Sequence, residues 1–333
     1  GIGGASCSNE PTVGELEGQF DIPVGGSLNF SLNALLQNDL ISTPPEAVAS
    51  IQYAQDPQTD NNLAFVLNDT ILSRSKTGTW YDNSRDGEGF LIEITSLGDR
   101  LIAVVAWYTY LEGEQAWLFG SVDFVQGSST VEIPVIYTEG ADFGDGFDPN
   151  DVVPIDAGTV TLSFVKEGEI DVSYQTIFGS GAVKAQRLDG TLGQTNVSSS
   201  SQLTEHHSGA WHNNVKPGEG LVISVTEQGL QNTLVVSWFT YLDGQQAWLI
   251  GSTPFSGAVQ QVNLPLITAT GASFGEAFSW QDVVYDAWGN GTFTLTNCME
   301  AEFSYDGKYG SGLLVLTKSV ESIPSALCDI TTD

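Results

Sequence analysis

The sequence predicts an all-β protein built around a duplicated domain, and three observations indicate this. First, GTWYDNSRDGEGFLIEI at 78–94 matches GAWHNNVKPGEGLVISV at 209–225, and WYTYLEGEQAWLFGS at 107–121 matches WFTYLDGQQAWLIGS at 238–252. Both matches have the same spacing, which is that between Trp80 and Trp211 and is called the repeat offset below. Second, short apolar runs within each copy are separated by Gly-containing turns, which is typical of strands. Third, almost no window has helical periodicity.

Eight strands are predicted in the first copy, and the second copy follows the same pattern. They cover 78–82, 90–94, 101–110, 115–122, 131–138, 159–165, 170–177 and 182–188. Because Gly-Asp, Glu-Gly, Asp-Gly and Gly-Ser pairs join them by short turns, consecutive strands should pair antiparallel as a meander. Eight such strands close into a small barrel, which removes exposed sheet edges. A β-sandwich of the same strands is the alternative.

The 333 residues divide into six predicted segments. These are an N-terminal arm (1–18), a small β-domain (19–76), the first barrel repeat (77–190), a Ser-rich linker (191–207), the second repeat (208–319) and a C-terminal tail (320–333). The alignment of the two repeats departs from the repeat offset by two positions where GTVTLSF (158–164) matches GTFTLTN (291–297).

Three resemblances add to this prediction. The segment GTWYD with its following turn resembles the first hairpin of the avidin family, which implies a barrel but not the biotin site. The whole repeated block resembles repeats of secreted and surface proteins of marine and other proteobacteria, a family to which we attach no activity. The segment GGSLNFSLNALLQND at 25–39 is similar to bacterial cadherin-like and immunoglobulin-like repeats, which implies a spacer domain in an exported protein.

Charge and hydropathy exclude some partners. Asp and Glu total 41 against 10 Lys and Arg, and a net charge of −31 repels nucleic acids and anionic membrane surfaces. The longest apolar run, from Leu101 to Trp107, is much shorter than the ~18 residues of a membrane-spanning helix, so no membrane span is expected. Together with the resemblances, this favours an extracellular or cell-surface bacterial protein.

The three cysteines suggest one disulfide and one remaining thiol. The shifted alignment places Cys298 in a strand, at the position of Val165 in the first copy, and Cys328 follows in the tail. We predict a Cys298–Cys328 disulfide, which leaves Cys7 on the arm as a thiol for an intermolecular link.

Common catalytic motifs are absent from the sequence. Glu88 and Glu219 recur between the glycines of the GEG motif, and we interpret them as turn residues whose carboxylates accept hydrogen bonds; glycoside hydrolysis by an acid pair is a distant alternative. The three histidines, His206, His207 and His212, are interpreted as exposed loop residues. No cofactor is predicted, but a calcium ion fits the spacing of one acidic loop. Its candidate ligands are Asp142, Asp145, Asp148, Asn150 and Asp151.

Large aromatic residues are the remaining candidates for binding. On strands they are usually core residues, but where exposed they stack on sugar rings. The candidate binding residues are Trp107, Tyr110, Gln115, Trp238, Tyr241, Gln246, Trp280 and Trp288, of which Trp280 and Trp288 are specific to the second copy. We therefore expect a non-enzymatic structural or adhesive surface protein that self-associates, such as a fibre subunit assembled through terminal arms and sheet edges. A glycan-binding or small-ligand-binding module that uses the barrel mouths or exposed Trp residues is the alternative.

Overall fold

The computed structural model describes residues 70–97, 100–166, 168–188, 202–204, 207–214, 216–228 and 231–319, together with four short strands before residue 68. Strand β1 (Ser6–Cys7) pairs antiparallel with β2 (Phe20–Asp21), and β3 (Glu46–Ser50) pairs antiparallel with β4 (Leu63–Leu67). The rest of the predicted arm and of the predicted cadherin-like or Ig-like domain lies outside the described residues. Most of the predicted linker and the C-terminal tail also lie outside them.

Two closed eight-stranded antiparallel barrels follow in tandem, so the predicted fold class is confirmed and the sandwich alternative is wrong. The first barrel consists of β5 (Gly78–Tyr81), β6 (Gly89–Leu97), β7 (Arg100–Leu111), β8 (Glu114–Phe124), β9 (Thr130–Glu139), β10 (Val153–Lys166), β11 (Glu169–Thr176) and β12 (Gly179–Arg187). The second consists of β13 (Gly209–His212), β14 (Gly220–Gln228), β15 (Gln231–Leu242), β16 (Gln245–Phe255), β17 (Gln261–Thr270), β18 (Val284–Leu295), β19 (Glu300–Gly307) and β20 (Gly310–Lys318). Consecutive strands are neighbours, and β12 and β20 close the barrels by pairing with β5 and β13.

The hairpin between β7 and β8, like that between β15 and β16, is a two-residue turn. Glu112 and Gly113 have φ angles of 53° and 93°, and Asp243 and Gly244 have φ angles of 51° and 79°. Two successive residues in the left-handed region form the turn whose twist matches the flanking strands, and glycine adopts this region without a Cβ clash. The acidic residue retained at this position in both copies is therefore part of the turn.

Each barrel encloses its own hydrophobic core, but some strands are buried on both faces, among them β7 and β15. In β9 the burial alternates, with Val131 and Ile133 buried and Glu132 exposed between them. In β7 the six residues from Val105 to Tyr110 are all buried, and β15 has the same pattern. Continuous burial requires cover on both faces of a sheet. One face of β7 lines the barrel interior, and the other contacts the second barrel.

Strand pairing around a β-bulge shows that the two copies keep the repeat offset where their sequences suggest a shift. Gly158 pairs with Val135, and Gly289 pairs with Leu266, so equivalent residues keep the repeat offset through β10 and β18. The shifted alignment is therefore wrong, because the matching Gly-Thr pairs lie at different places in the two strands.

The residue at this bulge differs between the barrels. It is Ala157 in the first barrel and Trp288 in the second, and both are buried. The indole ring occupies the space above Gly307, where an added Cβ would lie 2.4 Å from the ring. The first barrel has Thr176 at the position of Gly307. It therefore combines a small bulge residue with a larger neighbour, whereas the second barrel combines a large bulge residue with a glycine.

The chain segment that enters each barrel closes one of its ends. Leu72 and Leu203, which are separated by the repeat offset, are buried in the first and second cores. Arg187 and Lys318, separated by the same offset, donate hydrogen bonds to backbone carbonyls of these segments and lie beside tryptophan rings. Each barrel therefore includes residues that precede the repeat recognised in the sequence.

Candidate functional site

The outer faces of the two barrels share one buried interface, formed by side chains that the repeat places in equivalent positions. Its core contains five sets of equivalent residues from the two copies, namely Tyr108 and Phe239, Tyr110 and Tyr241, Trp117 and Trp248, Ala141 and Ala272, and Phe147 and Phe278. The members of each pair are separated by the repeat offset. Each indole packs against two rings of the other barrel, at centroid distances of 5.5–5.9 Å. The interface therefore has the arrangement of a two-fold symmetric dimer within one chain.

Two glutamine side chains cross this interface. Gln115 Nε2 donates to the Trp248 carbonyl oxygen at 2.6 Å, and the Trp248 amide donates back to Gln115 Oε1 at 3.3 Å. In the other direction, Gln246 Oε1 accepts from the Trp117 amide at 2.8 Å, and its Nε2 donates to Thr138 Oγ1 at 3.0 Å. Both amides thus use their donor and their acceptor, which makes their burial tolerable.

An aromatic ring from each barrel enters the mouth of the other barrel. Phe143 enters the second barrel, with centroid distances of 5.3–6.0 Å to the rings of Trp238, Trp288, Tyr305 and Tyr309. Phe274 enters the first barrel, with centroid distances of 4.9–5.9 Å to the rings of Trp107, Tyr174 and Phe178. The two mouths that we considered as ligand sites are therefore filled by the protein's own side chains.

Glu88, the glutamate of the GEG motif in the first barrel, is buried at the mouth of that barrel. Glu88 Oε1 accepts from Arg85 Nε at 2.8 Å, and Oε2 accepts from Thr109 Oγ1 at 2.7 Å. Burial raises the pKa of the Glu88 carboxyl, although both of these partners favour the charged form. Arg85 also donates to the Gly275 carbonyl oxygen at 2.9 Å and stacks on Phe278, so it links this carboxylate to the second barrel.

The equivalent glutamate of the second barrel has no ion-pair partner at hydrogen-bond distance among the described residues. Glu219 Oε1 accepts from Thr240 Oγ1 at 2.8 Å and from Trp238 Nε1 at 3.1 Å, whereas buried Oε2 has no hydrogen-bond partner in the described part of the chain. Burial raises the pKa of the Glu219 carboxyl. Lys216, at the position of Arg85, donates instead to the Gly144 carbonyl oxygen at 2.8 Å.

The predicted binding residues occupy two different environments. Trp107, Trp238 and Trp288 face the barrel interiors, and Tyr110, Tyr241, Gln115 and Gln246 lie in the interface between the barrels. Trp280 is the exception, since 52% of its surface is exposed. Of the eight predicted residues, it alone is largely exposed on the outer surface.

The predicted calcium ligands do not converge on one point. Asp142 Oδ1 accepts from the Phe143 amide at 2.8 Å and from the Asp243 amide at 3.2 Å. Asp148 Oδ1 accepts from the amide and the side chain of Asn150 at 2.9 and 2.7 Å. Asp145 and Asp151 are exposed. The part of the chain that the structure describes contains no group of three acidic, His or Cys side chains that could hold a metal ion.

The cysteine and histidine predictions have mixed outcomes. Cys298 lies in the turn between β18 and β19 rather than in a strand, because the alignment shift that placed it at the position of Val165 is not real. It is buried. Cys328 and the side chain of Cys7 lie outside the described residues, so the disulfide stays a prediction. His207 is 1% exposed, which contradicts its interpretation as an exposed residue, because it belongs to the segment that closes the second barrel.

An exposed corner lies where a turn of the first barrel contacts the second. At Gly87, whose φ is +97°, an added Cβ would lie 2.9 Å from Val283 and 3.1 Å from the Tyr285 hydroxyl. The Asp86 carboxylate lies beside that hydroxyl, and burial together with this charge raises the pKa of Tyr285 to about 12. Tyr285 is nevertheless 48% exposed, and Trp280 precedes it on the same stretch of chain.

The two phenylalanines that fill the mouths are not among the site residues predicted from the sequence. Phe143 and Phe274 recur at the repeat offset, within the segments Asp-Phe-Gly-Asp and Ser-Phe-Gly-Glu. A large apolar residue retained in a polar loop is the signal that could have revealed them, because such a residue needs a buried environment.

No protein-family model matches the chain, and searches of curated proteins and of solved structures found no similar protein. Among the described residues, no helix is long and apolar enough to cross a membrane.

Proposed function

We propose that this protein is a non-enzymatic extracellular surface protein with a structural or adhesive role. The observation that carries the proposal is the place of the side chains of the repeated motif in the structure. Its inward tryptophans fill the barrels, and its outward aromatic residues and glutamines fasten one barrel to the other. The side chains that both copies retain therefore serve to build one rigid two-barrel unit, a property expected of a structural subunit.

Self-association is part of this proposal, and the terminal segments are its proposed carriers. Every strand of both barrels is paired on each side, so the barrels offer no free edge for strand addition. Assembly through sheet edges then requires strands outside the barrels. The arm and the tail flank the barrels in sequence, and Cys7 on the arm supplies a thiol for a covalent link.

Size-exclusion chromatography with negative-stain electron microscopy tests the proposal on the full chain, with and without reductant and Ca²⁺. We expect large, concentration-dependent assemblies that disappear when residues 1–18 are removed, and a Cys7→Ser variant separates a thiol link from non-covalent contacts. A homogeneous monomer under all conditions would refute assembly.

A ligand-binding module is the second candidate function, and one observation favours it. Trp280 is exposed, whereas all aromatic residues that both copies share in the repeated motif are used inside the protein. Glycoside hydrolysis by an acid pair has less support, because Glu88 and Glu219 belong to different barrel mouths and each is hydrogen-bonded by its own barrel.

A further inference from the structure

Trp280 differs from every other tryptophan of the protein. The chain has eight tryptophans, and the other seven are no more than 6% exposed. Trp280 begins a 3-10 turn (Trp280–Asp282), which is followed by β18, and 52% of its surface is exposed. Exposing an indole costs hydrophobic free energy, so its position on the outside needs a reason other than folding.

The first barrel provides an internal comparison. The equivalent 3-10 turn, Pro149–Asp151, has Pro149 at the position of Trp280, and Pro154 occupies the position of Tyr285. Both turns have the same length and lead into equivalent strands. Because proline meets the structural needs of this corner in one copy, the two exposed aromatic residues of the other copy are not required by the fold.

The two barrels build this corner together. Tyr285 belongs to the second barrel, and its hydroxyl lies over Gly87 and beside Asp86 of the first barrel. Arg85, next to Asp86, is fixed by its bonds to Glu88 and to the Gly275 carbonyl oxygen. The corner is therefore held in place by the inter-barrel contact, and such preorganisation lowers the entropic cost of binding.

The dimensions and chemistry of the corner suit an extended, hydroxyl-rich ligand. Five residues span at most about 17 Å, which limits the separation of Trp280 and Tyr285 to the length of a short oligosaccharide. Exposed Gln281 and Asp282 follow Trp280, and exposed Asp86 lies beside Tyr285. An indole face packs against the C–H face of a pyranose ring, while amide and carboxylate oxygens accept hydrogen bonds from its hydroxyls.

We propose that this corner, formed by Trp280 and Tyr285 of the second barrel and Asp86 of the first, is a binding site for a neutral polysaccharide. An uncharged ligand is favoured over an anionic one because the protein carries a net charge of −31 and the corner is rich in carboxylates. The inference rests on the adhesive form of the proposed function and names the class of surface that the protein would adhere to.

Native electrophoresis of the full chain through gels containing hydroxyethyl cellulose, xylan or dextran tests this site. We expect at least one polysaccharide to retard the protein. Trp280→Ala should weaken that retardation about tenfold or more in apparent dissociation constant, because the stacking platform is lost. Tyr285→Phe, which removes only the hydroxyl beside Asp86, should weaken it less, and the pair Trp280→Pro with Tyr285→Pro should reproduce the first copy and abolish it.

Val315→Ala is the matched control, since Val315 is 58% exposed on β20 and should leave retardation unchanged. Near-ultraviolet circular dichroism, dominated by the seven buried tryptophans, verifies that each variant is folded. Absence of retardation in all three gels, equal retardation of Trp280→Ala, or loss of retardation in high salt would each overturn the proposal. Assembly seen by electron microscopy should not change in Trp280→Ala, so failure of this site and failure of the structural role are distinguishable.

Discussion

Glu219 and Glu88 show how one sequence position acquires different properties in two copies. Both carboxylates are buried between the glycines of the same motif, and burial raises the pKa of each. Arg85 forms a 2.8 Å ion pair with Glu88, whereas Lys216 turns to a backbone carbonyl and leaves Glu219 with hydrogen bonds to neutral groups only. A buried carboxylate without a paired cation is unfavourable when ionised.

The stability of the protein should therefore depend on pH through Glu219. Because its pKa is raised above the ordinary value of 4.5 in the folded state, the group stabilises the fold below that value, and this contribution is lost as the pH rises through the folded-state pKa. Relative to wild type, Glu219→Gln should become progressively more stable over this range, by up to about 1.4 kcal/mol per pH unit. Urea unfolding at several pH values measures this, with exposed Glu302→Gln as control. Parallel pH profiles for wild type and Glu219→Gln would refute it.

At the level of elements, the bulge between β17 and β18 shows how the two barrels reach the same topology with different packing. Trp288 occupies the bulge position in the second barrel, and Gly307 on β19 lacks the side chain that would collide with it. The first barrel has Ala157 at the bulge and Thr176 on β11 at the position of Gly307. A threonine side chain is much smaller than an indole ring, so it replaces only part of the volume that Trp288 occupies.

This compensation predicts a strong coupling between two positions. Gly307→Thr should destabilise the protein by about 1–3 kcal/mol, because the new side chain overlaps the Trp288 ring. Trp288→Ala should cost about 3–5 kcal/mol, because it leaves a cavity. In the double variant, which copies the first barrel, the threonine should restore part of the loss. A double-mutant cycle from urea unfolding tests this, and additive effects would contradict the packing argument.

At the scale of the whole molecule, the two barrels are joined by contacts that each of them contributes equally. Phe143 and Phe274 each enter the opposite barrel, and the interface residues between them are paired at the repeat offset. Backbone hydrogen bonds add to these contacts, including one of 2.7 Å from the Gly271 amide to the Gly113 carbonyl oxygen. Separation would expose the aromatic residues of both copies to water, so the barrels should unfold together.

Calorimetry of the wild-type protein should therefore show one cooperative transition for both barrels. Trp248→Ala removes an indole that packs on Tyr108 and Tyr110 and donates to the Thr109 carbonyl oxygen at 3.3 Å. We expect a loss of about 3–5 kcal/mol and separation into two transitions, because the core of the first barrel is left intact. Leu313→Ala, an exposed position of the second barrel, should keep one transition. A single transition in Trp248→Ala would show that other contacts suffice for coupling.

The sequence by itself determined the all-β class and the duplication, and it predicted barrels with a sandwich as the alternative that the strand pairing excludes. The repeat at a constant offset, the short strands and the turn pairs such as Glu112 with Gly113 are local features, and a meander needs only neighbouring strands to pair. It also identified Trp280 and Trp288 as specific to the second copy. The equivalence of strands around the bulge was predicted wrongly, because a repeated Gly-Thr pair outweighed a register that only pairing partners reveal.

Only the tertiary structure decided what the repeated aromatic residues do. Period-two alternation separates the two faces of β7, but both faces carry large aromatic residues, so the pattern does not say which face lines a barrel. Trp107 faces the barrel interior and Tyr108 faces the other barrel, and this difference depends on a partner surface that the other copy of the repeat supplies. Contacts between distant segments determine the buried interface, the filled mouths and the exposed corner at Trp280, and local sequence does not encode those contacts one residue at a time.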